Sequence, residues 1–261
     1  MASHPPSACC TRGFKHEGIA SGEIKKIGDI LRLDVGRAND PVDTYISHPS
    51  NTANSSTKAD KAVVIFTDIL GLHDNIKFIA DNFASRGYLV VVPDLFGGKP
   101  LTMNEIASGV NTRDWLKDHT PDVVDPIAAA TIKYVRETLG IKRVGAAGYC
   151  FGAKYVTRFL KEGGGLDVGY VAHPSFVVAE ELLAIKGPYA ISAAQTDSVF
   201  PSNLRHDTEE LLTKVGLPWQ ITLFSGVEHG FSVRGDLSNK AVRFAKEQAF
   251  VQAVTWFREH L

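Results

Sequence analysis

Two patterns of apolar residues divide this chain. Near its start, apolar and polar positions alternate. Ile30-Leu31-Arg32-Leu33-Asp34-Val35 and Val42-Asp43-Thr44-Tyr45-Ile46 follow a period of two, so each predicts a half-buried strand. Together they predict an antiparallel edge. From residue 62 the strands become continuously apolar. Ala62-Val63-Val64-Ile65-Phe66 reads as a parallel strand covered on both faces, and Leu89-Val90-Val91-Val92-Pro93-Asp94 as a further apolar strand. Between them Ile76, Ile79, Ala80 and Phe83 recur at helical spacing, and Gly87 supplies a stop. Asp125-Pro126 predicts a helix start, as N-cap and first helical residue, with Gly140 at its end. Further strands are expected at Arg143–Ala147, Val168–Ala172, Tyr189–Ala193 and Trp219–Leu223. A helix over Ser202–Val215 separates the last two. A C-terminal helix over Ala241–His260 offers Phe244, Phe250, Val254 and Phe257 to the core. Strands alternating with helices predict an α/β fold with a mostly parallel sheet and right-handed crossovers. Residues 1–28 read as an irregular N-terminal arm and 29–261 as a single domain. Ser50–Asp60, rich in Ser, Asn and Thr, reads as an exposed loop. Lys99–Val124 lacks a strand and reads as a helical excursion carrying Trp115 and His119.

Composition narrows the classes. The 261 residues hold 28 basic and 29 acidic side chains, so no anionic polymer or membrane surface is indicated as a partner. No apolar run has the length of a membrane span, and the first residues lack the apolar core of a secretion signal. A cytoplasmic location is the expectation. The three cysteines, Cys9, Cys10 and Cys150, make no disulfide framework, and the first two lack zinc-site spacing. No metal is expected.

The chemistry is concentrated around Cys150. The apolar run through Val144-Gly145-Ala146-Ala147 ends in Gly148-Tyr149-Cys150-Phe151-Gly152, and a helical pattern follows. This is the nucleophile elbow of an α/β-hydrolase with Cys in place of Ser. A nucleophile on such a turn stands at a helix N-terminus, where free N–H groups favour a thiolate and an oxyanion. The bland reading is a buried, inert Cys between two glycines. The partners downstream decide against it. In open α/β sheets the site lies at the carboxyl ends of the strands, and this fold takes its triad in the order nucleophile, acid, histidine. Asp197 follows the strand at Tyr189, and His229 follows the strand at Trp219. His229 is placed to pair with the Cys150 thiolate, and Asp197 to fix the imidazole tautomer. Glu228 is a rival acid, but it adjoins His229 and is badly placed to reach the far ring nitrogen. The backbone N–H of Phe151 and that of Ile69, in the loop after the Ala62 strand, are the expected oxyanion donors. Asp68 precedes Ile69 and is placed to approach the thiol. Arg234, just beyond His229, is placed to meet an anionic part of the substrate, with a solvated surface Arg as the rival reading.

At these residues the chain resembles the dienelactone hydrolases, or carboxymethylenebutenolidases, and their fungal members most. The resemblance rests on Thr67-Asp68-Ile69-Leu70-Gly71, Pro93-Asp94-Leu95-Phe96, Gly148-Tyr149-Cys150-Phe151-Gly152-Ala153-Lys154 and His229-Gly230-Phe231. It implies an α/β-hydrolase core without cofactor and a Cys-His-Asp triad. It also implies an acidic residue near the resting thiol, where Asp68 stands, and arginines for a substrate carboxylate, of which Arg234 matches one. Fungal relatives include thiohydrolases that free polyketide chains from carrier domains. The apolar excursion around Trp115 would shape a pocket for such a chain. The expectation is therefore a hydrolase of a small-molecule ester, lactone or thioester that works through an S-acyl intermediate. A polyketide thiohydrolase acting on an acyl-carrier domain is the alternative of the same class. A non-catalytic binding protein on a hydrolase scaffold and a thiol redox sensor are the alternatives of other classes.

Overall fold

The computed structural model describes residues 2–5, 14–17, 19–27, 42–49 and 59–261. Among these residues the strands are β1 (Glu23–Ile27), β2 (Val42–Ser47), β3 (Lys61–Phe66), β4 (Leu89–Pro93), β5 (Arg143–Tyr149), β6 (Val168–Ala172), β7 (Tyr189–Thr196) and β8 (Trp219–Glu228). They form one sheet in the order β1-β2-β4-β3-β5-β6-β7-β8. β1 pairs antiparallel with β2, and β2 with β4. Every other pairing is parallel. The helices are α1 (Asp74–Ala84), α2 (Met103–Ala107), α3 (Thr112–Lys117), α4 (Pro121–Lys133), α5 (Gly152–Phe159), α6 (Ala179–Leu183), α7 (Ser202–Val215), α8 (Phe231–Arg234) and α9 (Lys240–His260). None of them is long and apolar enough to cross a membrane.

The continuous apolar strands are buried on both faces, as their pattern requires. Alternate residues of β3 face opposite sides of the sheet. Val64 and Phe66 join a core with Val124 and Ala128 of α4, Val156 of α5 and Leu212 of α7. Val63 and Ile65 join a second core with Ile76 and Phe83 of α1 and Phe257 of α9. Each fully buried side chain of this size contributes about 1.5–3 kcal/mol, so these two layers hold the sheet in place.

Several expectations are corrected. β1 lies inside residues 1–28, so the sheet starts within the segment read as an irregular arm. Its short run Glu23-Ile24-Lys25-Lys26-Ile27 pairs with β2 and gives the antiparallel edge. The strand expected at Ile30–Val35 lies outside the described residues, as do residues 50–58 of the Ser-rich loop and both Cys9 and Cys10. α4 starts at Pro121, behind an extended Thr120, and Pro126 falls inside it. Both prolines suit a first helical position. Pro121 takes it because its fixed φ follows the extended N-cap, and Pro126 then costs one backbone hydrogen bond near the helix start. A π turn at Tyr134–Thr138 follows, and Gly140, at φ +72°, ends the element. In α9 Phe244 is 60% exposed, while Ala245, Ala249, Ala253 and Phe257 form the inward stripe. Their spacing of four keeps them on one face, and Phe244 lies one position off it. Phe250 and Val254 are half-buried beside the second core.

The elbow depends on two glycines. A Cβ at Gly148 would lie 2.7 Å from the Gly152 carbonyl, and one at Gly152 would overlap the Phe66 carbonyl. α5 therefore approaches the end of β3 more closely than any side chain allows. Gly152→Ala should lower stability by about 1–3 kcal/mol or more, the cost of overpacking a rigid contact. Urea denaturation measures it, and wild-type stability in Gly152→Ala would contradict the close approach.

Candidate active site

Cys150 sits at the end of β5 in the left-handed region, at φ +51°. Its backbone is held from three sides. Its N–H donates to the Ala172 carbonyl at 3.2 Å, and its carbonyl accepts from the N–H of Ala153 at 3.2 Å and of Ser175 at 3.1 Å. The side chain is fully buried, with Ser175 Oγ 3.7 Å from Sγ. Non-glycine residues with positive φ are uncommon and cost on the order of 1–3 kcal/mol each. Those among the described residues are Cys150, His173 (φ +38°) and Phe176 (φ +63°). His173 and Phe176 lie in the loop after β6, against the elbow, so the backbone strain is gathered at one place.

Asp197 and His229 arrive from the ends of the neighbouring strands β7 and β8. A β-bulge at Ala194/Thr196 disturbs the end of β7 immediately before Asp197. Val199 N–H and Phe200 N–H donate to Asp197 Oδ1 at 2.8 and 3.0 Å and fix the carboxylate. His229 follows β8. Its Nδ1 lies 3.0 and 2.9 Å from the two Asp197 carboxylate oxygens. Glu228, the rival acid, is exposed. Burial alone would lower the His229 pKa. The Cys150 thiolate and the Asp197 carboxylate outweigh it and raise the pKa to about 10. The site thus favours the imidazolium form of His229.

His173 and Ser175 were missed by sequence reasoning. The His173 ring stands edge-on to His229, with centroids 4.9 Å apart. Its Nε2 is 2.8 Å from Ser232 Oγ. Burial and the positive charges of His229 and Arg234 hold its pKa well below the ordinary value, so it packs there as a neutral ring. The signal was present, since His173-Pro174-Ser175 follows an apolar strand at the carboxyl edge of the sheet, where site residues gather.

The amides of Phe151 and Ile69 have no protein acceptor among the described residues, and both residues are buried beside the elbow. Such donors suit an oxyanion. Asp68 is engaged elsewhere. Its Oδ2 accepts from Arg234 Nε at 2.6 Å, and its Oδ1 lies 3.2 Å from His73 Nε2 and accepts from the Leu70 N–H at 3.1 Å. Burial would raise its pKa, but Arg234 and His73 hold it well below the usual carboxylate range. Arg234, expected to meet substrate, is 2% exposed and directs its Nε to Asp68. This pair links the Ile69 loop to α8, directly after His229.

Two hollows flank the site. On one side a cavity of about 720 Å³ is walled by Phe151, Tyr155, Phe176, Leu116 and His119, with Arg113 and Lys117 also on its lining. The other hollow, about 260 Å³, is lined by His229, Arg234 and Phe14. Trp115 belongs to the first side. It stacks on His119 at 4.1 Å and lies 6.1 Å from Phe151, with its Nε1–H on the Lys99 carbonyl. It supports the wall through His119. Among the described residues no cluster of three or more His, Cys, Asp or Glu is placed to hold a metal ion.

An eight-stranded, mostly parallel sheet with a sharp, glycine-flanked strand-to-helix turn after its central strand β5 defines the α/β-hydrolase fold. Comparisons narrow the class. The model of the dienelactone hydrolase family matches residues 42–261. The chain is 47% identical to "Hydrolase pyvD" of Aspergillus violaceofuscus, over 100% of this chain and 99% of that one. It is 42% identical to "Hydrolase tropI" of Talaromyces stipitatus (100% and 99%) and 31% identical to "Dienlactone hydrolase 1" of Gibberella moniliformis (98% and 94%). A putative dienelactone hydrolase from Klebsiella pneumoniae shares the fold at a TM-score of 0.70 and 14% identity, over 91% of this chain and 98% of that one. The chain belongs to the dienelactone hydrolase family, and it is a hydrolase of the ester- and lactone-cleaving type.

Two outcomes test the geometry. Asp68→Asn removes the carboxylate charge that the buried Arg234 Nε meets, and should cost about 3–5 kcal/mol in urea denaturation. Adding Arg234→Met should recover part of that loss. A stable single variant with an altered Cys150 alkylation profile would instead place Asp68 on the thiol. The raised His229 pKa means that the imidazolium persists through neutral pH and is lost only near pH 10. Cys150 should therefore alkylate as a thiolate at neutral pH, and His229→Ala should move the iodoacetamide profile up towards an ordinary thiol, near pH 8.5. An unmoved profile would contradict the pair.

Proposed function

We propose that this hydrolase works by covalent catalysis, with Cys150 as nucleophile, His229 as acid and base, and Asp197 as its orienting partner. The observation that carries the reading is His229 itself, held through Nδ1 by Asp197 and raised in pKa by the Cys150 sulfur. The thiolate attacks the carbonyl carbon of an ester, lactone or thioester. The tetrahedral oxyanion is met by the Phe151 and Ile69 amides. His229 then gives its proton to the departing oxygen or sulfur, leaving an S-acyl enzyme. Neutral His229 takes a proton from water as the water attacks this thioester. Collapse releases the acid, and the thiolate and imidazolium are restored.

The two hollows suit this sequence. The acyl group takes the large cavity beside Phe151, and the leaving group departs on the His229 side. The aromatic walls of the large cavity favour an extended or aromatic acyl group. Its size and walls support the second reading, a polyketide acyl-thioester thiohydrolase served by an acyl-carrier domain. Arg113 and Lys117 on its lining offer positive charge to the phosphodiester of a carrier's arm. A cytoplasmic setting suits a catalytic thiol.

A panel of p-nitrophenyl esters, lactones and acyl thioesters tests the reading. Cys150→Ala and His229→Ala should each lose on the order of 10⁴-fold or more in kcat, and the double variant should be little worse, because the pair acts as a unit. Cys150→Ser should retain little activity, since a hydroxyl ionises far less readily. Additive losses in the double variant would contradict a coupled pair. Faster turnover of thioesters than of esters with the same acyl group would support the thiohydrolase; the reverse order would favour an esterase or lactonase.

A further inference from the structure

Four residues near the N-terminus are built into the site from a distance of more than 170 positions. Ala2 and Ser3 are buried. Both their N–H groups donate to the Val177 carbonyl at 3.0 Å, and the Ser3 hydroxyl accepts from the Val177 N–H at 2.9 Å. The next residue reaches two loops at once. The His4 N–H donates to the Val199 carbonyl at 2.7 Å, on the turn whose amides hold Asp197. The His4 carbonyl accepts from the Phe176 N–H at 2.9 Å. Phe176 is one of the strained residues, and its own carbonyl accepts from Lys154 Nζ at 3.2 Å. Lys154 is fixed in turn by Glu181 at 2.8 Å. Phe176 thus has both backbone groups tied, and its ring stands edge-on to Phe151 at 6.0 Å.

The position of this segment matters as much as its bonds. His4 and Pro5 line the same 720 Å³ cavity as Phe151 and Phe176. Cavities of about 300–1,000 Å³ take small-molecule ligands, and their walls set which group fits. The backbone of His4 is tied at both its N–H and its carbonyl, whereas its side chain is exposed. A change beyond its Cβ therefore alters the wall while leaving these bonds in place.

We propose that Ala2–Pro5 is part of the substrate site, holding the Phe176 and Asp197 loops together and closing the cavity so that His4 limits the size of the acyl group accepted. This rests on the acyl-transfer reading above, in which the cavity receives the acyl portion. His4 and Pro5 act on specificity, while Ala2 and Ser3 act as positioning residues through Val177.

The test varies the size of residue 4 in opposite directions. His4→Ala and His4→Trp are assayed with p-nitrophenyl acetate, hexanoate, benzoate and 2-naphthoate, with Cys150→Ala as the control for each. The readout is the ratio of kcat/KM for each larger ester to that for acetate. Shape changes of this kind in an apolar pocket alter selectivity by about 10- to 200-fold. His4→Trp should lower the naphthoate-to-acetate ratio at least about tenfold, and His4→Ala should raise it. Thermal melting confirms that each variant is folded. If His4→Trp is not folded, His4→Ala carries the test alone. Unchanged ratios in folded variants, with Cys150-dependent hydrolysis intact, would overturn the proposal and leave the catalytic reading standing. Absence of Cys150-dependent hydrolysis of every ester and thioester in the wild type would overturn the catalytic reading itself.

Discussion

The carbonyl of Phe66, at the end of β3, occupies the space where a side chain on Gly152 would begin. That contact brings α5 onto the sheet at the point where β5 ends. Cys150 must then turn through a left-handed conformation to connect the two. The strain is held by hydrogen bonds from β6 and from the loop after it, which presents Ser175 to the sulfur. Removing the close approach would release the turn, and the thiol would lose its place at the helix N-terminus. The geometry of the candidate site therefore depends on two residues without side chains.

Around that turn the charges are arranged in two pairs. One is Cys150 with His229, backed by Asp197, where opposite charges outweigh the cost of burying an imidazolium. The other is Asp68 with Arg234, buried and without a direct part in the chemistry proposed. It joins the Ile69 loop to α8, the helix that follows His229. Buried ion pairs are costly to break from one side, which makes this pair a fixed distance between two loops. His173 lies against His229 as a neutral ring and adds packing without a further charge.

The sheet and the grouping of Cys150, Asp197 and His229 were legible in the sequence because each carries a local signal. Apolar runs such as Val63-Val64-Ile65 announce strands covered on both faces, and Gly148-Tyr149-Cys150-Phe151-Gly152 announces an elbow. Chain order then singled out Asp197 and His229. The contacts that sequence could not show join distant residues. Arg234 meets Asp68 across 166 positions, and Val177 meets Ser3 across 174. An arginine just beyond His229 reads equally well as a substrate ligand until its partner is seen. β1 was hidden because Glu23-Ile24-Lys25-Lys26-Ile27 has no clear alternation and owes its place to pairing with β2. Helix starts were ambiguous for the same kind of reason, since Pro121 and Pro126 both suit a first helical position and only packing chooses between them.

The central claim is that the acyl group passes through the sulfur of Cys150. Intact-protein mass spectrometry during turnover of a slow p-nitrophenyl ester tests it most directly, followed by peptide mapping of the adduct. The account predicts a transient mass increase equal to one acyl group, mapped to Cys150, absent in Cys150→Ala and longer-lived in His229→Ala treated with the same ester. Hydrolysis at the wild-type rate by Cys150→Ala, or an acyl group carried on another residue during turnover, would contradict it.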